Sequence, residues 1–365
     1  MIISGEGTDQ PRPGLTGNPR ATNNLRQDKR LVKRLDRRPG AALICWYPLS
    51  KLMICRLLCL VFPFIAIASP AAEGRVFTEV LEATQKDPDF ALQGEYSGEL
   101  DGKKTGVQLV AEGAGIFSAV LYPGGLPGDG FAGDRNLRIK GQASQGKVTF
   151  PGLGGTLAGG KLIFPKGTLS RIERHSPALG AAAPAGAIVL FDGTSAGAFE
   201  NGRLDGETLM QGITTKEKWG SFALHVEFTI PYMPEHRGQG RGNSGCYLQG
   251  RYEVQVLDSF GLEGKDNECG GIYTIAPPLV NMAFPPLAWQ TYDIEYSAAV
   301  YDAAGRKTSS AKATVKHNGV LVQDAVELTH ATTSAPLPEG PEPGPLHFQD
   351  HGAPVRYRNI WIVRK

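Results

Sequence analysis

Hydrophobic and polar residues alternate along much of the chain after residue 90, in short runs broken by glycine. The first runs lie in the 73–175 region, and in each of them every second residue tends to be apolar: Gly106–Val110, Ile116–Tyr122, Leu137–Lys140, Lys147–Phe150 and Lys161–Phe164. A period of two is typical of a strand with one buried face, and runs this short and close together indicate antiparallel pairing. The pattern predicts a small antiparallel β domain over residues 73–175.

A second β-rich region is predicted over residues 188–365, after a Pro/Ala/Gly linker at 176–187 that has no periodic apolar face. Its clearest run alternates strictly over Phe222–Ile230, so that His225 and Glu227 share the polar face, which is expected to meet either solvent or a ligand-binding concavity. The other predicted strands of this region are Tyr252–Asp258, Thr291–Tyr296, Ala313–His317 and Arg356–Val363.

Composition supports short strands and many turns. Glycine and proline account for 47 and 26 of the 365 residues, without a collagen-like repeat. Asn318-Gly319, between two predicted strands, is typical of a tight hairpin turn. At 41% hydrophobic residues, the chain has enough apolar material for two cores. The predicted fold class is therefore all-β, with a smaller antiparallel β domain ahead of a larger one.

The amino terminus is expected to be an export signal. The apolar run Leu57–Ala68 follows basic residues and ends in small ones, as a secretory signal does, and it is shorter than the roughly 20 residues of a membrane-spanning helix. We therefore expect a signal peptide at 53–72, translation from Met53 rather than Met1, and an untranslated or disordered extension at 1–52. The predicted product is periplasmic or extracellular, with no transmembrane segment after cleavage.

Charge is distributed unevenly along the chain. Residues 1–56 carry eleven Lys and Arg against four Asp and Glu, a balance of +7, so the rest of a chain whose net charge is +2 carries −5. A basic surface for nucleic acid is thus not expected in the folded part, and no nucleic-acid partner is predicted.

Two cysteines, Cys246 and Cys269, follow the predicted signal peptide. In an oxidising compartment an even pair suggests a disulfide, and two isolated buried thiols are the alternative.

The sharpest chemical pattern is Glu253-x-Gln255-x-x-Asp258 on one predicted strand. Residues i and i+2 of a strand point to the same side, and a bulge after Val256 would return Asp258 to that side. Three polar groups would then line one groove. The pattern resembles the Glu-x-Asp-x-x-Glu strand of family-16 glycoside hydrolases, but Gln255 replaces the central acid, which argues against the paired carboxylates of a retaining glycosidase.

Segments throughout residues 188–365 resemble the 3-keto-disaccharide hydrolase family, in the family's order. They are Leu190–Thr194, Thr215–Phe222, Gly242–Leu248, Tyr252–Asp258, Cys269–Tyr273, Trp289–Asp293, His317–Val320 and Leu346–Ile360. The resemblance implies a concanavalin-like jelly-roll β-sandwich for this part of the chain. It does not extend to the preceding β domain.

The resemblance also implies hydrolysis of disaccharides or other glycosides that carry a ketone at C3. A C3 carbonyl makes the C2 hydrogen acidic, so a single carboxylate base can remove it and expel the C1 substituent, after which water adds. Glu253 or Asp258 is the candidate base. His351 is the candidate acid or enolate stabiliser, because imidazoles titrate near neutral pH.

Further residues of the matching segments are candidates for binding the substrate through hydrogen bonds, charge or ring stacking. They are Asn243, Gln255, Gln349, Asp350, Lys216, Tyr247 and Trp289. No cofactor is predicted, although a divalent cation held by Glu253, Asp258 and His351 is an alternative electrophile.

Two other functions fit the same sequence. The sandwich also serves non-catalytic, lectin-like carbohydrate-binding modules, since a fold does not determine a function. A conventional glycosidase is the third alternative, and Gln255 disfavours it. All three share an oligosaccharide or glycoside as the expected partner.

Overall fold

The computed structural model of the protein describes residues 74–133 and 136–365. The predicted signal peptide and the extension before it lie outside these residues. The described residues belong to one compact unit. None of the helices in this part of the chain is long and apolar enough to cross a membrane.

Two short helices precede the first β domain, α1 (Val80–Lys86) and α2 (Pro88–Leu92). The strands that follow are β1 (Gly94–Leu100), β2 (Lys103–Ala111), β3 (Ile116–Pro123), β4 (Leu126–Pro127), β5 (Gly130–Phe131), β6 (Leu137–Ser144), β7 (Lys147–Phe150), β8 (Gly155–Ala158), β9 (Lys161–Phe164) and β10 (Gly167–Ile172). Eight of them close into an antiparallel barrel in the order β1-β10-β9-β8-β7-β6-β3-β2. The alternating apolar residues fill its interior, for example Leu109, Phe117 and Leu162.

The second region is built from fifteen strands, including several of only two or three residues. They are β11 (Ile188–Phe191), β12 (Phe199–Glu200), β13 (Leu204–Asp205), β14 (Thr208–Met210), β15 (Ile213–Thr215), β16 (Phe222–Thr229), β17 (Asn243–Leu248), β18 (Tyr252–Leu257), β19 (Trp289–Ser297), β20 (Val300–Tyr301), β21 (Lys307–Ser309), β22 (Ala311–His317), β23 (Val320–Leu328), β24 (His347–Phe348) and β25 (Arg356–Arg364). The predicted all-β fold class is confirmed.

Thirteen of these strands form a two-sheet sandwich, and β20 and β21 pair separately with each other. The larger sheet has the order β13-β14-β25-β16-β19-β22-β23, with β11 paired to β25, and the smaller has the order β12-β15-β24-β17-β18. A continuous apolar core lies between them and includes Leu224 and Phe228 of β16 and Val254 and Val256 of β18. Each fully buried side chain of this size contributes about 1.5–3 kcal/mol to stability. Because strand residues alternate, the neighbours of Val254 face outward from the smaller sheet.

The predicted hairpin turn at Asn318-Gly319 is confirmed. Both residues have positive φ, 51° and 80°, and they join β22 to β23. Two consecutive residues with positive φ match the twist of the flanking strands, which explains the Asn-Gly pair.

The 176–187 segment packs against the outer face of the larger sheet. The backbone N–H of Gly180 donates to Glu227 Oε1 at 2.5 Å, and the carbonyl of Ala181 accepts from Asn359 Nδ2 at 3.0 Å. Burial alone would raise the pKa of Glu227, but hydrogen bonds from His225, Asn359 and Arg358 and from the Gly180 N–H lower it to about 2. The polar face predicted on β16 is therefore covered by the linker.

The disulfide prediction is not supported by the structure. Cys246 and Cys269 are both free thiols, fully buried in the core of the sandwich. The Sγ of Cys269 lies 3.1 Å from the hydroxyl of Tyr292. Each thiol is thus accommodated by core packing, which is the alternative that the sequence left open.

The barrel contacts the sandwich through the 234–241 loop. Arg237 donates to the carbonyl of Glu112 at 2.7 Å, and Arg241 donates to the carbonyl of Ala111 at 3.3 Å. A further contact joins the Gly261 N–H to Gln108 Oε1 at 3.1 Å. The barrel therefore holds in place a loop that leads directly into β17.

Candidate active site

A small polar cleft of about 50 Å³ opens on the outer face of the smaller sheet. It is lined by side chains from β17, β18, the segment after β24 and three loops: Gln239, Asn243, Tyr247, Glu253, Gln255, Tyr273, Thr333, Ser334, Gln349 and His351. Most of these side chains are neutral hydrogen-bonding groups, which suits a neutral polyol better than a charged ligand.

The register of β17 against β18 builds the floor of the cleft. Tyr247 lies opposite Glu253, and Gly245 lies opposite Gln255. A Cβ atom at position 245 would lie 2.8 Å from Cδ of Glu253 and closer still to Oε1. The absence of a side chain at Gly245 is what leaves room for the Glu253 carboxyl group above the strand.

Glu253 is the central group of this floor. Only 3% of the residue is exposed, and its Oε2 accepts a hydrogen bond of 2.9 Å from the Tyr247 hydroxyl. Burial disfavours the charged carboxylate and outweighs the Tyr247 hydrogen bond, so that the pKa of Glu253 is raised to about 7. A carboxyl group with this pKa exchanges protons readily near neutral pH, as a general base must.

Two amides lie beside Glu253 with their oxygens unpaired. Asn243 and Gln255 are 2% and 1% exposed, and neither Asn243 Oδ1 nor Gln255 Oε1 has a hydrogen-bond partner. Their nitrogen atoms both donate to Gln239 Oε1, at 3.0 Å and 3.3 Å. The floor of the cleft therefore contains two buried amide oxygens without a hydrogen-bond partner.

The segment after β24 forms the second side of the cleft. The Gln349 N–H donates to the carbonyl of Gly245 at 2.9 Å, and its Nε2 donates to the Tyr247 hydroxyl at 3.2 Å. His351 follows at the exposed rim. A chain of hydrogen bonds thus runs from Gln349 through Tyr247 to Glu253.

The structure brings six of the predicted site residues to this cleft: Asn243, Tyr247, Glu253, Gln255, Gln349 and His351. They come from segments up to about a hundred residues apart in sequence, and the pairing of β24 with β17 joins them.

Asp258 is not part of the cleft, contrary to the prediction. The expected bulge does not form: β18 ends at Leu257, and simple alternation places Asp258 on the side of Val256. Its Oδ2 accepts a hydrogen bond of 2.6 Å from Arg241 Nε in a buried ion pair. Asp258 is thus a structural partner of Arg241.

Three predicted substrate-binding residues also lie outside the cleft lining. Trp289 stacks under the Arg358 guanidinium, 3.9 Å from the ring centroid, on the larger sheet. Lys216 is exposed, and Asp350 caps its own turn by accepting from the Gly352 N–H at 2.9 Å. The first two belong to other surfaces, and the third points its carboxylate back into the loop.

The sequence suggested Glu253, Asp258 and His351 as ligands of a divalent cation. Because Asp258 is paired with Arg241 outside the cleft lining, the three side chains do not converge on one site. Within residues 74–133 and 136–365, no group of three or more His, Cys, Asp or Glu side chains is arranged to hold a metal ion.

Sequence reasoning missed four lining residues, Gln239, Tyr273, Thr333 and Ser334. They sit in loops without periodic patterning, so alternation carries no information about them. The one available signal was position: Gln239 lies four residues before Asn243, and Tyr273 ends the Cys269–Tyr273 segment.

The sandwich matches a known protein family. The family model of the 3-keto-alpha-glucoside-1,2-lyase-like domain matches residues 186–363 and leaves the barrel unmatched. No curated protein matches the chain.

Three similar crystal structures are each described as a "putative glycosyl hydrolase" from Parabacteroides distasonis. One is 34% identical, covers 50% of this chain and 85% of its own, and has a TM-score of 0.47. Two others, each 19% identical, cover 49% of this chain and 94% of their own, with TM-scores of 0.36 and 0.31.

Proposed function

The chain belongs to the 3-keto-disaccharide hydrolase family through its 3-keto-alpha-glucoside-1,2-lyase-like domain, and we propose that it cleaves glycosides already oxidised to a ketone at C3. The domain is glycosyl-hydrolase-like.

The observation that carries the proposal is the single carboxyl group of the cleft. Among the described residues, Glu253 is the one carboxylate in the lining, and its pKa is raised to about 7 by burial. Ordinary glycosidases need two carboxyl groups about 5–10 Å apart across the scissile bond. Abstraction of a proton next to a ketone needs one base, and efficiency is greatest when the pKa of that base lies near the working pH.

The proposed reaction begins with removal of the C2 hydrogen as a proton by Glu253, so that its electron pair moves into an enolate with the C3 oxygen. When the enolate collapses, the C1–O bond breaks and its electron pair leaves on the glycosidic oxygen. That oxygen takes a proton from His351, which frees the alcohol and leaves a C1=C2 enone. Water then adds its oxygen to C1 and gives one of its protons to His351, which restores the acid, and Glu253 returns a proton to C2.

The enolate oxygen requires a hydrogen-bond donor. Gln349 uses one N–H on the Tyr247 hydroxyl and has a second N–H on the same nitrogen. Tyr273 supplies a hydroxyl on the lining of the cleft. These groups support the proposal because donors placed where negative charge develops commonly supply several kcal/mol of transition-state stabilisation.

A lectin-like role explains the polar lining but not the buried, proton-exchanging carboxyl group. A binding site for a neutral sugar gains nothing from a strongly perturbed acid, whereas perturbed groups in clefts are a mark of catalytic sites. We therefore favour the enzyme over the binding module.

We also propose that the protein is exported. The support is the apolar run Leu57–Ala68, which has the length and flanking residues of a secretory signal. Fusion of residues 53–72 to a reporter enzyme that is active only outside the cytoplasm tests this point, and a reporter that stays inactive contradicts it.

The function is tested by incubating the purified protein with a glucoside before and after oxidation at C3. Release of the alcohol from the oxidised sugar alone is expected, with kcat/KM rising with pH through about 7 as Glu253 ionises. Release from both sugars would indicate a conventional glycosidase, and binding without release would indicate a lectin.

A further inference from the structure

We propose that Gln239 is a positioning residue that sets the direction of two amides in the cleft, so that the floor accepts hydrogen bonds from two substrate hydroxyls. The identity of the ligand rests on the proposed function, whereas the orientation of the amides does not. Gln239 lies in the 3-10 turn Gly238–Gly240 and has no role in the reaction described above.

Two backbone carbonyls determine the orientation of the whole set. Gln239 Nε2 donates to the carbonyl of Asn267 at 2.8 Å, and Asn243 Nδ2 donates to the carbonyl of Gln239 at 2.9 Å. A backbone carbonyl only accepts hydrogen bonds, so the atoms facing it must be N–H groups. Gln239 Oε1 is therefore the atom directed toward Asn243 and Gln255.

Gln239 Oε1 then determines the orientation of the Gln255 side-chain amide. It lies 3.3 Å from Gln255 Nε2, and because an acceptor requires a donor, the nitrogen of Gln255 must face it. The carbonyl ends of Asn243 and Gln255 consequently turn away from Gln239. Both oxygens are buried without partners.

A buried acceptor without a donor is unfavourable, so these two oxygens favour a ligand that supplies O–H or N–H groups. A ketone oxygen carries no hydrogen and cannot satisfy them. In a 3-keto sugar, ring hydroxyls should therefore lie on the floor, and the C3 oxygen should face the donors of the lining, such as Gln349, His351 or Tyr273. The substrate class that follows is a 3-keto glycoside with two free hydroxyls directed at the floor.

The orientation is tested without any substrate, by measuring hydrogen exchange of the Asn243 and Gln255 side-chain amides by NMR in the full chain. Gln239→Ala should accelerate exchange of the Gln255 amide by about tenfold or more, since its acceptor is lost. The Asn243 amide should accelerate less, because it keeps the backbone carbonyl of residue 239 as an acceptor. Gln239→Glu keeps an acceptor oxygen for these amides but loses the donor to the Asn267 carbonyl, so exchange should be slower than in Gln239→Ala and faster than in the wild type. Gln85→Ala, at an exposed helix position, is the matched control and should leave exchange unchanged. Exchange that is unaffected by Gln239→Ala would overturn the proposal.

The consequence for specificity is tested with methyl 3-keto-glucoside and its monodeoxy analogues. The wild type should lose about tenfold or more in kcat/KM when a floor-facing hydroxyl is removed. Gln239→Ala should raise KM for the parent sugar with a smaller change in kcat. For this variant, kcat/KM for the deoxy analogue should be less than threefold below kcat/KM for the parent sugar.

The two proposals fail separately. If no 3-keto glycoside is turned over by the wild type, the proposed function fails, and amide exchange still decides the role of Gln239. If turnover is present but Gln239→Ala keeps the full discrimination against deoxy analogues, the inference is wrong and the function stands.

Discussion

At the scale of single residues, the account depends on the environment of one carboxyl group. Glu253 is buried and touches a neutral hydroxyl donor, Tyr247, and its pKa rises to about 7 because no cation compensates for its desolvation. Asp258, five residues away, is equally buried but is paired with Arg241. The two acids therefore differ in chemistry because of their partners, although the sequence presents them as equivalent.

Glu253→Gln should stabilise the protein at alkaline pH. Because the folded pKa of about 7 lies above the ordinary value of 4.5, the native state keeps its proton longer, and stability falls as pH rises from about 4.5 through 7. The full cost of holding the charge, about 3 kcal/mol by the shift in pKa, is present above pH 7. Urea unfolding at pH 8 should show a gain of about 1–3 kcal/mol for the variant, and little gain at pH 4.

The matched control for this measurement is Glu342→Gln, at an exposed loop position. It should leave stability unchanged at both pH values, because surface substitutions typically change it by less than about 0.5 kcal/mol. A Glu253→Gln protein that is less stable than wild type at pH 8 would show that the carboxylate is stabilised in the fold rather than strained by it.

At the scale of elements, the site depends on the antiparallel pair β17 and β18. Gly245 leaves the space that the Glu253 carboxyl group occupies. Its φ is not positive, so alanine fits the backbone and meets only the side chain of Glu253 at its closest contacts.

Gly245→Ala should therefore displace Glu253 without unfolding the sheet. A loss of kcat/KM of about 10²-fold or more is expected, because a general base contributes about 10²–10⁴-fold and must be held in place. Gly220→Ala, where a Cβ atom meets nothing within 4 Å, is the control and should keep full activity. Wild-type activity in Gly245→Ala would contradict the assigned position of the base.

The alternation of apolar and polar residues predicted which side chains of β18 face outward, but the prediction failed where the strand ends. It placed Glu253 and Gln255 on one outward face, because the period of two holds throughout β18. It failed at Asp258 because a bulge, which depends on tertiary contacts, was assumed from the spacing of polar residues. The resemblance to the family supplied Gln349 and His351, which no local pattern connects to β18. Gln239 was missed because its role depends on two distant backbone carbonyls.

At the scale of the whole molecule, the barrel stabilises the loop that leads to the candidate active site. Arg237 and Arg241 both donate to barrel carbonyls, and Arg241 also pairs with Asp258 at the end of β18. The loop between these arginines carries Gln239. The barrel therefore contributes to the geometry of the cleft without lining it.

Asp258→Asn tests whether this acid is structural or catalytic. Removing one partner of a buried ion pair leaves Arg241 uncompensated, and a loss of about 3–5 kcal/mol in the free energy of unfolding is expected. The folded fraction should keep the rise of kcat/KM with pH through about 7, since Glu253 is untouched. A stable variant that has lost turnover by about 10³-fold would instead identify Asp258 as the base.

Turnover of a 3-keto glucoside in D₂O, with mass and NMR analysis of the released sugar, tests whether one base removes the C2 hydrogen. Elimination followed by hydration predicts one deuterium at C2 of the product in wild type, formed much faster than in Glu253→Gln or without enzyme. A product that keeps its original hydrogen at C2, released from the C2-deuterated sugar as fast as from the ordinary sugar, would contradict this mechanism, because the C1–O bond would then have broken without proton abstraction.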